Sequence, residues 1–339
     1  MSDLGVLGTG SWGTALAVHL ASSSPLDVTL WGRDPDLVAH LRKERVNERY
    51  LPGVELPSAL RLTEDLAEVA SSRALMVVVP SHGFRQTVAR LFEHLPPTQE
   101  PPILISATKG IETESLARMS EVTAEEAGKA DRPVRFAVLT GPSFAVELAG
   151  GTPTAAVVAS QEAEVAENLQ RQLSNRTFRL YSSTDVVGVE LGGTSKNVIA
   201  IAAGVVAGLG LGHNTQAALL TRGLHEITRL GLACGGEPRT LAGLAGMGDL
   251  VLTCTGGLSR NRRMGMALAQ GKSPDEITSS TPMVAEGVLN SLAVARLARR
   301  EGVEMPITEQ MVQVLHQGKS PHRAVEELMS RELRSEAEF

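Results

Sequence analysis

Val6-Leu7-Gly8-Thr9-Gly10-Ser11-Trp12-Gly13-Thr14-Ala15-Leu16-Ala17 runs a short apolar strand into a Gly-x-Gly-x-x-Gly turn and then a helix, the order of a dinucleotide-binding fingerprint. Gly8 permits the tight turn, Gly10 lets the backbone approach a pyrophosphate, and Gly13 lets helix and strand pack closely. Free N–H groups at the helix start would then face the phosphates. The competing reading is an ordinary strand-to-helix turn, and the placing of the glycines between strand and helix weighs against it.

Outward from this turn, short β-branched runs alternate with longer amphipathic segments as far as Tyr181, the pattern of a mostly parallel sheet with crossover helices. Strands are expected at Leu4–Leu7, Val28–Trp31, Ala74–Val79, Ile103–Ser106, Phe136–Leu139, Thr154–Ala159 and Thr177–Tyr181. Helices are expected at Trp12–Ala21, Pro35–Arg45, Phe84–Leu95, Leu116–Gly128 and Ala163–Leu173. Right-handed connections of this kind give an α/β, Rossmann-type doubly wound sheet. After Ser182-Ser183-Thr184-Asp185 the alternation fades, and Val186–Leu209, Thr215–Leu232, Val284–Arg300 and Ile307–His316 carry helical periodicity. The expected division is therefore 1–182, a dinucleotide-binding Rossmann domain, and 183–339, an all-helical substrate-binding and catalytic domain.

A chain of 339 residues suits two domains. With 42% hydrophobic and 21% charged residues, the composition is that of a globular protein rather than a disordered or collagenous one. A net charge of −6 gives a nucleic-acid partner no support, and 3% aromatics leave few stacking platforms for single strands. The opening Met1-Ser2-Asp3 predicts no secretory signal. No membrane span is expected either, because the most apolar region, Val198 to Leu211, is broken by Gly204, Gly208 and Gly210 and reads as a buried helix. Cys234 and Cys254 lack paired spacing, so neither a disulfide framework nor a metal site is expected, and the reading is cytoplasmic.

In open α/β sheets ligands bind beyond the carboxyl ends of the strands, which directs attention to the residues just after each one. Gly32-Arg33-Asp34 follows the second strand. There an acidic residue would hold ribose hydroxyls and an arginine would accommodate a 2′-phosphate, so Arg33 tilts the expectation towards NADP(H) over NAD(H). Asp34 either binds ribose or caps the helix that Pro35 opens. Lys109, in Ala107-Thr108-Lys109-Gly110, is a candidate anion anchor. In Thr140-Gly141-Pro142-Ser143-Phe144-Ala145 the Gly-Pro step forces a turn and Ser143 can cap the next helix.

In the helical half, Gly192-Gly193-Thr194-Ser195-Lys196-Asn197-Val198 sets a lysine in a small, apolar helix. An ammonium there must be partnered or functional, because burying it unpaired is expensive, and Lys196 is the first candidate for catalysis. Gly246-Met247-Gly248-Asp249 supplies a carboxylate. Ser259-Arg260-Asn261-Arg262-Arg263 supplies a cationic helix start, where the planar fork of Arg260 suits a phosphate.

GTGSWGTALA, VVVPSHGF, SATKGIE, GPSFAVELA, GVELGGTSKNVIAIAAGV, GLAGMGDLVLTCTGGLSRNRR, and VAEGV with GVEMPITE occur in this order across essentially the whole chain. Together they resemble the NAD(P)-dependent glycerol-3-phosphate dehydrogenase family. The resemblance implies a cytoplasmic oxidoreductase that reduces dihydroxyacetone phosphate to sn-glycerol 3-phosphate for phospholipid synthesis, with a small phosphorylated triose as substrate. Carried over motif by motif, Ser11, Trp12 and Arg33 would contact the cofactor with Gly8, Gly10 and Gly13, and Ala145, Val284 and Glu286 would complete its pocket. Lys109, Gly141, Ser143, Lys196, Asp249, Ser259, Arg260 and Asn261 would line the substrate site, with Lys109 and Arg260 also assigned to the cofactor. Lys196 is similar to the family's general acid/base. A homodimer through the helical half is expected. Two rival readings keep the fold: a related dehydrogenase acting on hydroxyacids or sugar acids, and a non-catalytic nucleotide sensor.

Overall fold

The computed structural model describes residues 2–97, 100–279, 286–333, 335 and 336. It comprises two compact units, Met1–Lys109 with Ala117–Val186, and Gly110–Leu116 with Val187–Phe339. The excursion at 110–116 was not anticipated from the sequence.

In the first unit β1 (Leu4–Leu7), α1 (Ser11–Ser23), β2 (Val28–Trp31) and α2 (Pro35–Glu44) are followed by a hairpin of β3 (Val46–Asn47) and β4 (Leu51–Glu55). Next come β5 (Arg61–Thr63), α3 (Leu66–Ala70), β6 (Ala74–Val77), α4 (Ser81–His94) and β7 (Ile103–Ser106). The unit closes with α5 (Met119–Ala130), β8 (Arg135–Thr140), α6 (Ala145–Ala149), β9 (Thr154–Ala159), α7 (Ala163–Leu173) and β10 (Phe178–Ser183). Eight strands form one sheet in the order β10-β9-β8-β7-β6-β1-β2-β5, parallel except for the β8–β9 pair. Among the described residues only the β3–β4 pair stands outside it.

Alternation along the strands separates two cores. Leu4 and Val6 of β1 and Met76 of β6 pack with Leu16 and Leu20 of α1, Leu41 of α2 and Leu169 of α7. Leu7 of β1 and Leu75 and Val77 of β6 pack on the other face with Val69 of α3, Phe84 and Leu91 of α4 and Val122 of α5. Each fully buried aliphatic side chain of this kind is worth about 1.5–3 kcal/mol relative to exposure. The helix expected from Leu116 starts only at Met119, because Leu116 takes a left-handed φ of 61° that no helix accommodates.

The second unit runs α8 (Val186–Gly208), α9 (Gly212–Ala233), α10 (Pro238–Leu241), a π-helical turn over Leu244–Gly248, α11 (Asp249–Thr255), α12 (Arg260–Ala269), α13 (Pro274–Ser279), α14 (Glu286–Arg300), α15 (Pro306–His316) and α16 (Pro321–Met329). By length and hydropathy alone α8 could cross a membrane, but 89% of its most apolar window is buried, so it is a core helix. It crosses α12 at backbone contact: a Cβ on Gly265 would lie 1.9 Å from the Ile201 carbonyl oxygen, and one on Gly204 would lie 2.0 Å from that of Arg262. Neither obstacle is a flexible side-chain end, so Gly265→Ala should lower the unfolding free energy by about 3 kcal/mol or more, measured by urea denaturation. A wild-type midpoint would contradict this crossing.

Glu226 of α9, 2% exposed, joins two helices. Its carboxyl accepts hydrogen bonds from the Ile307 N–H (2.5 Å), the Thr308 N–H (3.1 Å) and the Thr308 hydroxyl (3.0 Å), satisfying donors that the start of α15 leaves open. Burial pushes its pKa up from 4.5 to about 7, against the pull of those three donors. Such a group holds a proton in the folded state that the unfolded chain has lost, so its contribution is full below about 4.5 and is lost as pH rises through about 7. The melting temperature of Glu226→Gln relative to wild type should therefore improve as pH rises from about 5 to about 8. A constant difference would contradict the buried, protonated carboxyl. Burial lowers the pKa of His19 and gives a slope of opposite sign, but both proteins share it.

Candidate active site

The glycine turn leaves β1 between its neighbours β2 and β6, where the strand order reverses and where open sheets bind ligands. Gly8 has φ 128°, and a Cβ there would lie 2.9 Å from the Val78 carbonyl oxygen. A Cβ on Gly13 would lie 2.1 Å from the Gly8 carbonyl oxygen, whereas one on Gly10 would meet nothing within 4 Å. Gly8 and Gly13 are thus demanded by the fold itself, and Gly10 faces open space. Helix α1 starts at Ser11 with Gly10 as its N-cap and no capping side chain, leaving its first N–H groups to an outside acceptor. Trp12 packs half-buried against the β1 core, and its indole N–H is buried without a partner. An uncapped helix start over open space, beside an orphaned donor, fits a phosphate-bearing cofactor.

After β2 one of the two roles open to Asp34 is filled. Its Oδ1 accepts from the N–H groups of Asp36 (3.1 Å) and Leu37 (3.3 Å), so it caps α2. Arg33 beside it is exposed.

Lys109, Gly141 and Ser143 meet on one carbonyl. Lys109 Nζ and Ser143 Oγ each donate to the Gly141 carbonyl oxygen, both at 3.1 Å. Ser143 therefore does not cap the next helix, as its position suggests; α6 begins after Phe144 without a side-chain cap, with Ala145 half-buried at its first position. Gly141 holds φ 151°, and a Cβ there would press on Ala156 Cα at 2.8 Å. The adjoining Thr140 hydroxyl, buried and unpartnered, is a polar group that sequence reasoning missed.

In the second unit Lys196 is 5% exposed and Asp249 1%. Lys196 Nζ lies 3.0 Å from Asp249 Oδ1 and donates to Thr253 Oγ1 at 2.8 Å. The Thr253 hydroxyl in turn donates to the Asp249 carbonyl oxygen at 2.6 Å, one helical turn back. Thr253 was not anticipated; the signal was its i, i+4 spacing from Asp249 on α11. The π-helical turn just before Asp249 is a feature often found at functional sites. Cys254, fully buried nearby, has its pKa pushed up to about 12 by burial, so it stays a neutral thiol and not a nucleophile.

Ser259 caps α12 by accepting the Arg262 N–H at 3.2 Å, which leaves Arg260 exposed at the first helical position. Asn261 is buried: its Nδ2 donates to Asn197 Oδ1 (2.9 Å) and its Oδ1 accepts the Gly287 N–H (3.1 Å), tying α12 to α8 and α14. Desolvation of its guanidinium lowers the pKa of Arg260, and the charge of Glu286, half-buried at the first position of α14, works against that shift. Val284 lies outside the described residues.

A family model described as NAD-dependent glycerol-3-phosphate dehydrogenase N-terminus matches residues 3–166, and the corresponding C-terminus model matches 185–326. The chain is 52% identical over 338 residues to the glycerol-3-phosphate dehydrogenase [NAD(P)+] of Geobacter sulfurreducens, covering 98% of each. It is 49% identical over 333 residues to that of Koribacter versatilis, again covering 98% of each. Among solved structures, glycerol-3-phosphate dehydrogenase from Coxiella burnetii superimposes with a TM-score of 0.91 at 41% identity, over 97% of this chain and 98% of that one.

Proposed function

The chain belongs to the NAD-dependent glycerol-3-phosphate dehydrogenase family, and from that premise we propose that it reduces dihydroxyacetone phosphate to sn-glycerol 3-phosphate with Lys196 as the general acid. The observation that carries this reading is the buried Lys196 ammonium held by Asp249 and Thr253. The nicotinamide of NAD(P)H supplies the hydride. Ketone reduction also needs a proton on the developing alkoxide, and a positioned lysine both donates it and stabilises the negative charge before transfer. Asp249 and Thr253 fix Nζ so that little reorganisation is left for the reaction.

Gly10, Ser11, Trp12 and Arg33 hold the cofactor, and the family resemblance assigns Ala145 and Glu286 to it as well. Lys109, Gly141, Ser143, Ser259, Arg260 and Asn261 hold the substrate. The exposed guanidinium of Arg33 just past β2 is placed to meet a 2′-phosphate, which supports a preference for NADP(H). The guanidinium of Arg260 at a capped helix start suits the triose phosphate. Arg260→Ala should mainly raise KM for dihydroxyacetone phosphate, and an unchanged KM would remove Arg260 from the phosphate site. Pairing of two copies through the helical unit and a cytoplasmic setting belong to the same reading. Leu211, Leu232, Met247, Val251 and Leu258, 38–47% exposed, are apolar side chains that a partner copy would cover.

Consumption of NADPH, and separately NADH, with dihydroxyacetone phosphate and with a panel of 2- and 3-oxo acids tests substrate and cofactor together. Turnover of the triose phosphate with NADPH ahead of NADH is expected. Turnover of the oxo acids instead would transfer the enzyme to the hydroxyacid class, and binding without oxidation would make it a sensor.

A further inference from the structure

Asn47 belongs to none of the motifs above, and it is 0% exposed on the short strand β3. Its Nδ2 donates to the Thr9 carbonyl oxygen at 3.0 Å and to Thr14 Oγ1 at 2.8 Å, while its Oδ1 accepts the Tyr50 N–H at 3.3 Å. Thr9 lies between Gly8 and Gly10, and Thr14 lies in the first turns of α1. A side chain from the β3–β4 hairpin, outside the main sheet, therefore grips the glycine turn from its flank.

The Thr9 carbonyl and the Gly10 N–H belong to one planar peptide group, so fixing the oxygen at one end fixes the direction of the N–H at the other. Gly10 on its carboxyl side, free of a Cβ, eases rotation of that peptide, and Gly10 has open space around it. We infer that Asn47 is a positioning residue that sets the Thr9–Gly10 peptide for the cofactor pyrophosphate without itself touching the cofactor. The inference rests on the reading that a dinucleotide binds at this turn.

Asn47→Asp is nearly isosteric and keeps the acceptor for Tyr50, but it sets an oxygen against the Thr9 carbonyl. Asn47→Ala removes the grip altogether. Both are measured for melting temperature, for NADPH affinity by calorimetry, and for the two Michaelis constants. Loss of about tenfold or more in NADPH affinity and a matching rise in its KM is expected, with the triose phosphate KM within about threefold of wild type. Folded variants with unchanged NADPH affinity would overturn the inference, as would an equal rise in both KM values. Loss of the folded state in both variants would also overturn it, by making Asn47 a strut of the fold. Failure of wild-type protein to bind either dinucleotide would instead sink the underlying reading, and it appears in the control.

Discussion

Lys196→Ala is expected to lower kcat by about 10²–10⁴-fold, the range of lost acid–base catalysis, while the affinity for NADPH stays close to wild type. The dinucleotide residues proposed here lie mainly in the first unit, and the acid lies in α8 of the second. Removing the amine also leaves the Asp249 carboxylate, 1% exposed, without its cation, so the variant should melt lower as well. Titrating NADPH into the variant separates loss of chemistry from loss of fold. A folded variant that binds NADPH and turns over at the wild-type rate would remove Lys196 from the reaction.

The second expected result separates stability from catalysis within the same pair. Asp249→Leu alone removes the carboxylate 3.0 Å from the buried Lys196 ammonium and should cost about 3–5 kcal/mol, whereas Lys196→Met with Asp249→Leu removes both charges and should recover most of that loss. Thr253 does not obstruct the exchange, because its hydroxyl donates to the Asp249 backbone carbonyl, which survives the substitution. The double variant should thus melt near wild type and remain as inactive as Lys196→Ala. Recovery of activity together with stability would mean that the pair is only structural. A double variant as unstable as Asp249→Leu would mean that the burial of the two charges is not coupled.

How far the sequence anticipates this molecule depends on how local each signal is. The strand, glycine turn and helix from Leu4 to Ser23 were legible because turn chemistry and periodicity agree within some twenty residues. Residues 46–70 were not: β3, β4 and β5 have two, five and three residues, and Arg61 and Pro52 give them no alternation to read. Membership of β5 in the main sheet is settled by its register with β2, a tertiary fact. Asn47 was hidden for the same reason. The π-helical turn before Asp249 has no local signal in the sequence, and it packs at backbone contact on α8: a Cβ on Gly192 would lie 2.7 Å from the Ala245 carbonyl oxygen.

The site followed a similar rule. A lysine inside an apolar helix announces that it needs a partner, but its partner Asp249 is distant in the chain, and only the folded unit brings them to 3.0 Å. Asp34 could be read as ribose ligand or cap, and its hydrogen bonds to Asp36 and Leu37 give it the cap. Ser143 occupies a capping position in sequence and turns back to Gly141 instead. Residue type and position announced that these side chains need partners, and only the folded backbone chose among the partners available.

A crystal structure of the protein with dihydroxyacetone phosphate and an oxidised dinucleotide tests the central claim most directly. The Lys196 amine should stand within hydrogen-bond reach of the substrate carbonyl oxygen, about 2.6–3.2 Å, with Asp249 and Thr253 still holding it. An amine out of reach of that oxygen, or turned to bulk water with no anion beside it, would contradict the account.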